Sequence, residues 1–180
     1  MKLRFFISII LSIFFNILVN AQSGSYKEEL NLSFGTGNSL YSNISTQQFI
    51  VFYKLNDLSA AFGSFSLDSD VNLEFISQNQ STTVVAGLAP IFKYEADLLG
   101  LTTFIKAGVG FNYINNHNIG SRNIGGHFIF SDMISIGSRI INTQDYSVEI
   151  SYMLRHISNA GIFDSNEGFN SQYLVLSLNM

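Results

Sequence analysis

The feature that most constrains this chain is a recurring segment of about ten residues in which apolar and polar side chains alternate. Each segment is bounded by Gly, Asn, Ser or Asp. Side chains two apart on a strand share a face, so such a segment offers one greasy surface and one polar one. The pattern is expected of strands that close into a barrel across a membrane. The segments read 27–36, 46–55, 70–78, 82–96, 101–114, 125–140, 145–157 and 168–180. Residues 57–69 contain apolar material that suits a long turn or another short strand, and read as a turn between the second and third. The expected fold is all-β, an eight-stranded antiparallel transmembrane barrel, a number sufficient to close around its own side chains.

Composition agrees. Charged residues make up 12% of the chain and aromatics 14%, with a net charge of −4. A soluble exported domain would carry about 25% charged residues, whereas a barrel wall facing lipid needs few. Lys2 and Arg4 precede an apolar run from Phe5 to Val19, and Val19-Asn20-Ala21 is a small-x-small site. Residues 1–21 therefore read as an export signal and 22–180 as the barrel, placed in the outer membrane of a Gram-negative-type bacterium. With no cysteine, neither a disulfide framework nor a thiolate metal site is available. Scattered charges give no footprint for nucleic acid.

Chemistry concentrates in one place. On the seventh segment Tyr146, Val148, Ile150, Tyr152 and Leu154 share a parity, and His156 and Ser158 continue it. A base and a hydroxyl then stand side by side on the apolar face. With both chain ends in the periplasm, the 115–124 and 158–167 loops face outward, and the pair lies near the outer leaflet, whose lipid is lipopolysaccharide. The bland reading of the pair is a polar strand end at the membrane–water boundary, and of Asn159 a turn residue. His117 and His127, one in a loop and one expected in the lumen, have no carboxylate at ligand spacing. Gly35-Thr36-Gly37 lacks the lysine of a phosphate loop and reads as a strand-end turn. Glu149 and Arg155 fall on the inward parity, with Glu74, Lys106 and Arg139, as a lumen network rather than an ion path.

His156-Ile157-Ser158-Asn159-Ala160-Gly161, followed by Asn166-x-Gly168, resembles the outer-membrane lipid A 3-O-deacylases, also called the acyloxyacyl hydrolase family. The runs Gly87–Tyr94, Phe104–Gly110, Asn123–Gly126 and Phe130–Asp132 are similar to further strands of that family, so the likeness covers about 84–180. The resemblance implies a serine esterase, without metal or organic cofactor, that removes the ester-linked acyl chain at the 3-position of lipid A. Ser158 would be the nucleophile and His156 its general base. Asn159, through its side-chain amide, and the backbone N–H groups of Ala160 and Gly161 would hold the oxyanion, with Asn166 shaping the supporting loop.

One position departs from the family. Its best-known members place a glutamate fourteen residues after the histidine, where this chain has Asn170. Three outcomes stay open: Asn170 orients the base, Glu167 (or Asp164) in the loop does, or the enzyme is slow. The alternative from another class is a non-enzymatic or catalytically degenerate barrel that is structural or binds a surface partner.

Overall fold

The computed structural model describes residues 30–40, 44–60, 63–78 and 81–180. The 1–21 export signal and the first residues of the expected opening strand lie outside the described residues. Eight long strands form one closed antiparallel barrel. They are β1 (Leu30–Ser39), β2 (Ser45–Ala60), β3 (Gly63–Gln78), β4 (Ser81–Leu98) and β5 (Leu101–Ile114), then β8 (Phe128–Asn142), β9 (Ser147–Ser158) and β10 (Phe169–Asn179). A two-stranded flap, β6 (Asn118–Ile119) and β7 (Arg122–Asn123), lies in the loop between β5 and β8. Around the barrel the order is β1-β10-β9-β8-β5-β4-β3-β2. Closure is made by β1 against β10, from Asn31 opposite Asn179 to Ser39 opposite Ser171. A closed sheet has no free edge, so every strand's N–H and C=O row finds a partner where lipid can offer none.

The expected turn at 57–69 is corrected. β2 runs on to Ala60 and β3 begins at Gly63, paired from Ala60–Gly63 back to Lys54–Asp68 with a register shift at Lys54/Asn56. The misreading has a physical cause. Asp68 is a turn-former by type, but it is buried inside the barrel. A lumen tolerates the polar residues that elsewhere mark loops.

The wall follows the alternation. Phe34, Leu88, Phe92, Ile105, Val109, Phe111, Ile134, Ile136, Leu174 and Leu176 are exposed on the outside. This outer belt is the surface a bilayer core requires. Inside, the filling is layered. Ile119 and Ile124, from the flap loop, are buried with Ile44, Ile76, Val85, Ile114, Ile129, Ile157 and Phe169, and stopper the barrel at that end. A second apolar layer joins Ile50, Ala89, Ile91, Met153, Tyr173 and Val175.

Charged side chains fill the rest. Glu149 accepts from Lys93 Nζ at 2.7 Å, Lys106 Nζ at 3.3 Å and Arg139 Nη2 at 3.3 Å. Glu95 bridges Lys93 and Arg139, each at 2.8 Å. Arg155 donates to Asn112 Oδ1 at 2.9 Å and to Asn72 Oδ1 at 3.2 Å, and its Nε lies 3.6 Å from Glu74 Oε2. Tyr173 donates its hydroxyl hydrogen to Glu74. These groups meet each other across a packed interior.

Candidate active site on the outer wall

His156 and Ser158 are near the end of β9, on its outward face. Their buried neighbours Arg155, Ile157 and Asn159 point inward. In the register of β9 with β10, His156 stands directly opposite Asn170. Side chains so placed have Cβ atoms about 5 Å apart, close enough to bond. Here they do: His156 Nδ1 and Asn170 Oδ1 are 2.7 Å apart. An amide oxygen only accepts, so Nδ1 carries the hydrogen, and the neutral ring held this way has its lone pair on Nε2. The Cε1 edge of the ring lies by Gly168, where an added Cβ would come within 2.7 Å of His156 Cε1. Gly168 has φ +62°, in the left-handed region that favours glycine.

Beyond Ser158 the chain turns sharply. Ala160 (φ 55°) and Gly161 (φ 76°) are both left-handed. That conformation brings the Ala160 N–H to 3.4 Å from Ser158 Oγ. The Gly161 N–H donates instead to Asn159 Oδ1 at 2.8 Å. On β8, Phe130 is the register partner of Ser158, with its ring exposed and packed edge-on to Phe111 at 5.8 Å. The hydroxyl therefore borders an apolar outer surface.

Asn159 is fully buried, and its hydrogen bonds are all committed within the protein. Its amide donates to the carbonyls of Ile124 and Ser165, both at 2.6 Å. Its backbone N–H donates to Asn166 Oδ1 at 3.0 Å, and its carbonyl accepts from Ile162 N–H at 3.1 Å. Both amide hydrogens are thus spent on loop carbonyls, and the expected use of this side chain as an oxyanion donor does not fit. The residue laces the 159–168 loop to the loop before β8.

Glu167 is held in the same seam. Its carboxylate accepts from the Asn123 N–H, and its own N–H donates to Asn123 O at 3.1 Å. Arg122 Nη1 donates to the carbonyls of Glu167 and Gly168, both at 3.2 Å. Glu167 is bound to the flap, and the group on the histidine is Asn170. Asp164 is exposed on the loop.

The sequence gives no sign of a role for Arg122, and marks Asn123 only as the start of a family-like run. They lie in a loop, and only the folded flap brings them to Gly168. His127 is corrected as well. It is exposed rather than in the lumen, because β8 starts one residue later. Its ring stacks on Tyr113 at 5.7 Å and meets His117 edge-on at 5.5 Å.

A closed eight-stranded wall with an apolar outer belt and a filled interior defines an outer-membrane β-barrel. Residues 41–179 match the family profile described as Lipid A 3-O-deacylase (PagL), and the chain belongs to that family. Among curated relatives, Lipid A deacylase PagL of Pseudomonas aeruginosa is 34% identical over 90 residues, which is 50% of this chain and 50% of the relative. The chain thus matches about half the length of that relative. The crystal structure of the outer membrane enzyme PagL superposes with a TM-score of 0.73 at 22% identity, over 82% of this chain and 97% of that one. Neisserial surface protein A superposes with a TM-score of 0.57 at 11% identity, over 85% and 94% of the two chains. At these identities the superpositions show a shared barrel fold.

Proposed function

We propose that this chain is a serine esterase that removes the acyl chain ester-linked at the 3-position of lipid A, in the outer leaflet of the outer membrane. The observation that carries the reading is the 2.7 Å bond from His156 Nδ1 to Asn170, with Ser158 two residues along on the same outward face. Membership of the lipid A 3-O-deacylase family supports it.

In this mechanism Ser158 Oγ attacks the ester carbonyl while His156 Nε2 takes its proton. The tetrahedral oxyanion is met by the Ala160 N–H, the backbone donor already turned toward Ser158. The carbon–oxygen bond to the sugar breaks, the imidazolium returns its proton to the leaving oxygen, and an acyl-Ser158 ester remains. Water, deprotonated by His156, attacks that ester; the bond from the acyl carbon to Ser158 Oγ breaks, His156 returns the proton to Oγ, and the fatty acid leaves. No metal or organic cofactor enters. Asn170 holds the reactive tautomer, and Asn159 and Asn166 hold the loop that carries Ala160.

A second reading rests on Asn170 itself. Exchanging the carboxylate of a Ser-His-Asp triad for an amide can cost about 10⁴ in turnover. A barrel that binds lipid A without cutting it would tolerate the amide.

The test is mass spectrometry of lipid A from outer membranes carrying the wild-type chain, Ser158→Ala or His156→Ala, each verified as folded. Loss of one 3-hydroxyacyl mass with the wild type only is the expected result. Near-normal hydrolysis by either variant would refute the mechanism, and unchanged lipid A with the wild type would favour the binding barrel.

A further inference from the structure

The register of β8 with β9 places Asp132 directly opposite His156, on the side away from Asn170. We infer that Asp132 is a positioning residue for His156, supplying the negative charge that Asn170 lacks. The inference rests on the esterase reading above.

Asp132 is an exposed carboxylate within the apolar wall. On its own strand it stands between Phe130 and Ile134, both exposed, and across β5 it faces Val109. An ionisable side chain on a lipid-facing surface is costly and points to a functional partner. Its outward neighbours on β5 and β9 include Ala107, Val109, Phe111, Leu154, His156 and Ser158. Of these, His156 is the one able to carry a positive charge.

From the β10 side His156 meets the uncharged Asn170. Glu167 is turned to Asn123, and Arg122 binds the carbonyls of Glu167 and Gly168. The carboxylate that faces the histidine from its neighbouring strands is therefore on β8.

The arrangement divides between two strands what one acid does in a Ser-His-Asp triad. Asn170 fixes the tautomer through its bond to Nδ1. Asp132 attracts the imidazolium formed when Ser158 gives up its proton. It does so through space, from a site where surrounding lipid screens little. No proton reaches Asp132: the proton passes from Ser158 Oγ to Nε2 and then to the leaving sugar oxygen.

The test compares lipid A hydrolysis by the full-length protein in outer-membrane vesicles for wild type, Asp132→Asn, Asn170→Glu and the double variant. Asp132→Asn is expected to lower kcat by roughly 10- to 100-fold with little change in KM. Asn170→Glu in that background is expected to restore most of the loss by returning a carboxylate from β10. Its gain there should exceed its gain in the wild type, since the two sites serve one charge.

Asp132→Asn within twofold of wild type would overturn the inference. So would a loss that Asn170→Glu leaves unrepaired, which would mark Asp132 as a structural residue of β8. A wild-type chain with no turnover would remove the esterase reading, and this inference with it. An active wild type beside an equally active Asp132→Asn would remove the inference alone.

Discussion

Gly168 lies so close to the imidazole of His156 that one added carbon would stand 2.7 Å from Cε1. The loop thereby crowds the ring at Cε1 while Asn170 holds it at Nδ1.

Gly168→Ala is expected to misplace the ring and to strain a backbone whose φ is +62°. Because the position lies just before β10, the barrel should still form. Hydrolysis of lipid A should fall by about 10² or more, the scale of misplacing a catalytic group by an ångström. Heat-modifiable migration on a gel should be unchanged. Activity near that of the wild type would show that the ring does not depend on this contact.

Asn159→Ala removes both amide hydrogens that tie the loop to Ile124 and Ser165. Each lost bond leaves a carbonyl unpaired at a cost of about 1–3 kcal/mol. The change is local, so the expected result is faster hydrogen exchange across 159–168 and the flap, with the strands still protected. Exchange rates equal to wild type in those segments would sink the lacing role.

Glu149→Ala leaves Lys93, Lys106 and Arg139 around a missing anion inside the barrel. Breaking a buried pair from one side costs about 3–5 kcal/mol. Reversible urea unfolding of the full chain in lipid vesicles should show a loss of that order. A shift under 1 kcal/mol would mean that water or Glu95 replaces the charge.

Much of this was legible in the sequence because a barrel wall is written with a period of two. The parity of Tyr152 and Leu154 already put His156 and Ser158 outside, and counting back from Leu174 put Asn170 beside His156. What failed was composition. Asp68 looks like a turn residue until it is known that it lines a closed interior. Cross-strand and loop-to-loop relations were also invisible. That Asp132 faces His156 depends on the β8–β9 register, and that Glu167 faces Asn123 depends on how the flap folds over. The internal use of the Asn159 amide is of the same kind. Its residue type suits an oxyanion donor and a loop tie equally, and only the positions of two carbonyls decide between them.

Ile119 and Ile124 are packed inside the barrel, away from the face that carries His156 and Ser158. Ser158 is on the outer wall, so a lipid substrate of the proposed esterase would come alongside, by lateral drift in a two-dimensional fluid. On the esterase reading, turnover would answer to the crowding and fluidity of one leaflet rather than to any concentration in water. Two membranes holding the same number of these proteins could run at very different speeds simply because their lipids pack differently.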